Sequence, residues 1–245
     1  MIIKSGDSES GHFYAADGSP AYRIIGKNGK ERNTNVKDAR ELGLFASVTT
    51  ITSIVAKQGL QTWLQQQVLL AALTLPRQDG EAEEAWLNRV MADAKSTGKE
   101  AANRGTEMHG VLESFYVGKN QQFPSYVSSV DTAITEHFGK QDWKAERSFT
   151  HSLGFGGKTD LSASGIVIDF KSKEGSLEKV TPYHEQLMQL SAYRQGLGMP
   201  SARCANVYFT AAGDVKLIEH SEQDLDLAWE CFQHLLKFYK LKNDL

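Results

Sequence analysis

Three short, glycine-punctuated runs constrain this chain most: Trp143–Thr150, Gly154–Ala163 and Gly165–Lys171. Each is rich in residues that suit a pleated surface, and the gaps between them are too short for a crossover helix. They predict an antiparallel meander. The last run is the most telling. In Ile166-Val167-Ile168-Asp169-Phe170-Lys171 the residues alternate in direction, so Asp169 and Lys171 project from one face of a strand that is otherwise apolar. A hairpin turn around Ser162–Gly165 can set Asp160 beside them.

The remaining elements surround this meander. His12–Ala15 and Ala21–Ile25 read as two strands flanking a turn at Asp17-Gly18-Ser19-Pro20, a hairpin packed on the body. Ser47 is placed to cap a first helix reaching Ile54 and Val55. Leu60–Leu75, Glu81–Ala94 and Thr97–Val117 follow as helices, then one near Val127–His137. After the meander come a helix from about Pro182 to Gly196, strands at Cys204–Thr210 and Val215–Glu219, and a closing helix marked by Leu225, Trp229, Phe232, Leu236 and Tyr239. This order implies an α/β fold with a mixed central sheet flanked by helices and an N-terminal helical addition. It fits one domain over residues 1–245, with a hairpin region to 46, a helical part over 47–140 and a sheet core over 141–245.

Composition excludes more than it selects. A net charge of -3 and a pI near 6.2 do not describe a chain coated in basic residues, so a polyanion would have to meet a local groove or bound cations. No run approaches the ~18 apolar residues of a membrane span, and the start lacks a signal peptide's apolar core. The expectation is a cytoplasmic protein of a bacterial or virus-infected cell, with no membrane partner. Cys204 and Cys231, the only two cysteines, are expected to be buried free thiols, and they exclude a four-cysteine iron–sulfur cluster within this chain.

Two carboxylates converging on one point repel unless a cation lies between them, and hard oxygen ligands suit Mg²⁺ or Mn²⁺. A lysine beside them could hold a phosphate or orient a water. On spacing alone, Asp169 and Lys171 could equally be an exposed strand pair. His109 and Glu113 lie one turn apart on a helix beside the stripe Met108, Val111, Leu112 and Phe115. Taken singly they could be an ordinary histidine and an exposed carboxylate. Gln186, Gln189 and Tyr193 share a helix face, which could face the acids or water. Trp63, Trp86 and Phe115 suit a core better than nucleotide stacking.

Taken together and in order, these residues resemble the PD-(D/E)XK nuclease superfamily, in its RecB-like and mitochondrial genome-maintenance-exonuclease-like branch. The matching positions are Gly105, His109 and Glu113; Glu146; Gly157 and Asp160; Asp169, Phe170 and Lys171; and Gln189 and Tyr193. Ser47-Val48-Thr49-Thr50-Ile51, with Leu60 and Trp63, resembles the entry segment of that branch. Thr159 stands where the superfamily's name has proline, and Asp169 stands for its second acid. The resemblance implies a restriction-endonuclease-like core and a metal-dependent DNA exonuclease that leaves 5′-phosphate and 3′-hydroxyl ends, in recombination, repair or replication.

It implies that Asp160, Asp169, His109 and the Phe170 carbonyl hold Mg²⁺, with Mn²⁺ able to replace it. Glu113 and Glu146 would be outer metal residues. Lys171, Gln189 and Tyr193 would act with the acids. Arg104, Lys158, Lys173 and Arg194 flank the motifs as candidate phosphate contacts. The expected partners are a single- or double-stranded DNA end and a single-strand-binding or recombination protein. The rival readings are a DNA endonuclease and a non-catalytic nucleic-acid-binding protein of the same fold.

Overall fold

A computed structural model of the chain describes residues 11–56, 58–119 and 121–245. The chain gathers into two compact units. The first comprises the chain up to Val55 together with Val111–Leu245, and the second is Ala56–Gly110.

The first unit is built on a mixed sheet. Its strands are β1 (Phe13–Tyr14), β4 (Phe45–Ser47), β5 (Lys144–His151), β6 (Phe155–Ala163), β7 (Ile166–Ser172), β8 (Arg203–Phe209) and β9 (Val215–Glu219), and β2 (Arg23–Ile25) and β3 (Glu31–Asn33) stand apart as a separate hairpin. The order is β1-β4-β6-β7-β8-β9, with β5 also paired to β6. The predicted meander is present, since β5 pairs β6 and β6 pairs β7, both antiparallel. Pairing of β4 with β6 and of β7 with β8 is parallel. Gly165, at φ 72°, makes the tight return between β6 and β7.

Helices α1 (Val36–Leu42), α2 (Val48–Thr52), α5 (Ser125–Phe138), α6 (His184–Gly196) and α7 (Glu222–Asn243) belong to this unit. Val167 and Cys204 of the sheet join Met188, Leu190 and Tyr193 of α6 and Leu225, Phe232 and Leu236 of α7 in one core. Burying each such aliphatic or aromatic side chain contributes roughly 1.5–3 kcal/mol. Phe170 and Phe209 meet Tyr116 and Tyr126 instead. Their strand parity is opposite to that of Val167 and Cys204, so this is the sheet's other face. Asp169 and Lys171 share parity with Val167, which directs them toward the α6 side.

The second unit contains α3 (Gln58–Thr74) and the greater part of α4 (Glu83–Tyr116). Ala71, Val90 and Ala94 form its buried core, with Val68, Leu75 and Trp86 against them. The Trp86 ring nitrogen donates to the Leu75 carbonyl at 2.7 Å, so this ring is structural. Gly98 of α4 packs beside Trp63 and Leu64 of α3, where an added Cβ would stand 3.7 Å from the Trp63 ring, an ordinary contact distance.

Three expectations about the elements are corrected. The two helices read at Glu81–Ala94 and Thr97–Val117 are one, α4, because Lys95-Ser96-Thr97-Gly98 contains no proline to interrupt the backbone ladder. The Asp17–Pro20 turn exists, with the Gly18 N–H donating to Ala15 O at 2.9 Å, yet it does not join a regular hairpin. After a single bridge from Tyr14 to Pro20, β1 pairs with β4 and β2 pairs with β3 across the Gly26–Gly29 turn. Ser47 caps its helix as expected, accepting from the Thr50 N–H at 3.0 Å, but that helix stops at Thr52.

Among the described residues no helix is long and apolar enough to cross a membrane. Cys204 is buried, and burial pushes its thiol up to about 12. Cys231, expected inside, is exposed, because its position on α7 falls outside the buried stripe of Ala228, Phe232 and Leu236.

Candidate active site

The site begins where two strands part. The β6–β7 ladder runs from Ala163↔Ile166 to Leu161↔Ile168. The next positions would set Asp160 against Asp169. There the Asp160 side chain, in place of a main-chain carbonyl, takes the Phe170 N–H on Oδ2 at 2.8 Å. A carboxylate thus replaces one rung of the ladder, and the two acids come together at the point of divergence.

Asp169 is 1% exposed, and a buried carboxylate is costly unless both oxygens are satisfied. They are. Lys171 Nζ donates to Oδ1 at 2.9 Å and lies 2.7 Å from Oδ2. Gln189 Nε2 donates to Oδ1 at 2.9 Å, and Asn206 Nδ2 donates to Oδ2 at 2.8 Å. Burial pulls the Lys171 ammonium down, but Asp169 and then Asp160 outweigh it, so the group lies above the ordinary lysine value. Lys171 therefore sits as a cation against Asp169, with Asp160 adding to the field that favours its charge.

Helix α6 supplies the cover. Gln189 and Tyr193 are four apart and lie on one helix face. The Gln189 amide donates to the Tyr193 hydroxyl at 2.9 Å and accepts from Lys171 Nζ at 3.3 Å. Tyr193 is buried, and burial, followed by Asp169 and Asp160, raises its phenol well above the usual range, so it stays neutral. Its ring stands edge-on to Phe149, 5.9 Å between centroids. Gly157 makes room for both rings, since a Cβ there would lie 2.7 Å from Phe149 Cζ and 3.0 Å from Tyr193 Cε1. Gln186, one turn earlier, accepts from the Tyr208 hydroxyl at 2.6 Å and from the Tyr183 N–H at 3.0 Å, which ties the start of α6 to β8.

Asp160, Asp169, Phe170, Lys171, Gln189 and Tyr193 are thus brought into one network. Glu146 and Lys158 form an ion pair with each other on neighbouring strands. The β5–β6 register skips one pair between Ala145↔Leu161 and Arg147↔Thr159, which puts Glu146 across from Asp160. Glu146 adopts φ 53°, a left-handed conformation that a non-glycine residue rarely takes. Lys173 lies over the Tyr183 ring at 5.9 Å, and burial, then Lys171, lowers its ammonium. Glu113 is half-buried on α4 in the first unit. His109, half-buried, and Arg104, exposed, belong to the second unit.

Arg194 departs from its expected role as a phosphate contact. It is 1% exposed and pairs with Asp226 of α7, so its guanidinium clamps two helices and offers no surface to a polyanion. The sequence reading also missed Asn206, Tyr208 and His220. His220 Nε2 lies 2.8 Å from Asn206 Oδ1, and burial lowers the His220 ring despite nearby Asp224, Asp169 and Glu219. One signal existed: an amide, Asn206, in the middle of the apolar run Cys204-Ala205-Asn206-Val207. Only the parallel register Asp169↔Asn206 reveals what it serves.

No protein-family model and no curated protein sequence matches the chain. Among solved structures it is similar to a protein of Eubacterium rectale described as a candidate exonuclease, at 12% identity and a TM-score of 0.39. That match covers 56% of this chain and 67% of the other. It is also similar to an alkaline exonuclease from Laribacter hongkongensis, at 13% identity and a TM-score of 0.34, over 74% of this chain and 97% of the other.

Proposed function

We propose that the chain is a metal-dependent deoxyribonuclease acting from DNA ends. The observation that carries this reading is the buried Asp169, paired with Lys171, set beside Asp160 by the Phe170 N–H and backed by Gln189 and Tyr193. The motif order shared with the PD-(D/E)XK superfamily supports it.

The donor chemistry fits Mg²⁺ or Mn²⁺. Asp160, Asp169 and the Phe170 carbonyl offer hard oxygens, and the ammonium held on Asp169 marks a place where positive charge is already favoured. Among the described residues no group of three or more His, Cys, Asp or Glu side chains is gathered for a metal. Water and phosphate oxygens would therefore complete the shell. His109 remains the candidate extra ligand through the resemblance of its helix motif, and Glu113 and Glu146 the candidate outer residues. When bound, the cation supplies a water of lowered pKa and offsets charge on the scissile phosphate.

The chain's own residues do the rest. Lys171 contributes positive charge for the phosphate oxygens. Gln189 holds Lys171 and Asp169 at fixed spacing, and Tyr193 anchors Gln189 from the core side. Lys158, Lys173 and Arg104 are the candidate backbone contacts that remain once Arg194 is withdrawn. Hydrolysis by in-line attack leaves a 5′-phosphate and a 3′-hydroxyl. The completeness of the charged network argues against a binding protein that has lost catalysis. The corresponding setting is DNA recombination, repair or replication, beside a single-strand-binding or recombination protein.

The test is time-resolved digestion of single- and double-stranded DNA labelled at either end, with Mg²⁺ and with EDTA. The expected result is Mg²⁺-dependent laddering from one end. Random internal cutting would overturn the exonuclease reading, and intact DNA would overturn the nuclease itself.

A further inference from the structure

Behind Asp169 stands a pair of side chains that the proposed chemistry does not use. Asn206 is the neighbour of Asp169 in the parallel β7–β8 ladder and is fully buried. Its Nδ2 lies 2.8 Å from Asp169 Oδ2 and its Oδ1 lies 2.8 Å from His220 Nε2. A carboxylate only accepts, so the amide nitrogen must face Asp169 and the amide oxygen must face the imidazole. That oxygen can only accept, so His220 Nε2 carries the ring proton. The direction of donation is therefore fixed, from His220 to Asn206 to Asp169.

We propose that Asn206 and His220 are positioning residues that hold the Asp169 carboxylate in one rotation for a divalent cation. The inference rests on the reading of Asp169 as a metal ligand. Among the groups that donate to Asp169, Lys171 and Gln189 are partly exposed and stand where cation and substrate would arrive. Asn206 is sealed inside, so neither water nor cation can replace its donation. It is a restraint that persists while Lys171 and Gln189 exchange partners. His220 keeps the amide from flipping. Its own backbone is pinned, with its N–H donating to the Cys204 carbonyl at 2.9 Å just before the Ser221 cap of α7.

The test uses the full chain with Asn206→Leu, His220→Leu and His220→Gln. Glutamine can place an N–H donor where the imidazole Nε2 stands, and leucine cannot. Mn²⁺ binding is followed by the ion's paramagnetic resonance, with the urea midpoint of each variant and Mg²⁺-dependent DNA cleavage measured in parallel. Both leucine variants should weaken Mn²⁺ binding by about tenfold or more, as loss of a ligand's outer partner does, and His220→Gln should restore it. A purely structural role would lower the urea midpoint and leave the Mn²⁺ affinity of the folded protein unchanged, and that result overturns the proposal. So does a wild-type chain that binds no Mn²⁺. If Mn²⁺ binding is graded as expected but DNA stays intact, only the nuclease reading fails. If DNA is cut but Mn²⁺ binding is not graded, only the positioning pair fails.

Discussion

Replacing Asp226 by alanine isolates the clamp between α6, which carries Gln189 and Tyr193, and α7. Arg194 is 1% exposed and its Nε has no hydrogen-bond partner among the described residues, while Asp226 is 66% exposed. Removing the acid strands a buried guanidinium. Breaking a fully buried pair costs about 3–5 kcal/mol, and the solvent around Asp226 reduces this to about 2 kcal/mol here. Domains of this kind are stable by only about 5–15 kcal/mol. With an m-value of about 2 kcal/mol per molar urea, the midpoint should fall by about 1 M with the slope unchanged. Arg194→Met in the same background fills the space without a charge and should recover most of that loss. Urea unfolding followed by tryptophan fluorescence reads both. An Asp226→Ala midpoint equal to wild type would refute the argument, because the guanidinium would then be reaching water by another route.

Gly157→Ala should cut DNA cleavage by at least tenfold while the chain stays folded, because the added methyl meets the Phe149 and Tyr193 rings and displaces the hydroxyl that anchors Gln189; initial-rate assays and a circular-dichroism spectrum check this. Glu219 is held down to about 2, first by its hydrogen bond to Arg203 and then by His137. A depressed carboxylate stabilises above its unfolded value and loses that contribution as pH falls through the folded one, so the loss runs from about pH 4.5 to about pH 2. This pair is near the surface, so the effect is about 1 kcal/mol, and Glu219→Gln should flatten that part of an acid-unfolding curve. Ellman's reagent should titrate one thiol, Cys231, in the native chain and Cys204 only after unfolding, because the Cys204 thiol is buried and raised to about 12.

The site was legible in proportion to how local its chemistry is. Asp169 and Lys171 alternate on one strand, and Gln189 and Tyr193 share one helical face, so periodicity grouped each set, while the family resemblance joined the two. The β5–β7 meander could be read for the same reason, since its turns are short. Partners chosen by tertiary packing were not legible. Asn206 meets Asp169 only through a parallel register, and His220 reaches Asn206 from beyond β9. Arg194 looked like a surface cation beside a motif, and only the placement of α7 shows it to be a buried clamp. The early strands failed similarly. Their turn chemistry was right, but β1 finds its partner in β4, some thirty residues on.

The most direct measurement is Mg²⁺-dependent cleavage of end-labelled DNA by Asp169→Asn and Lys171→Ala, each checked for native unfolding. Both should lose about a hundredfold or more in rate, with EDTA abolishing what remains in the wild type. Cleavage by either folded variant at the wild-type rate would contradict the assignment of the chemistry to Asp160, Asp169 and Lys171.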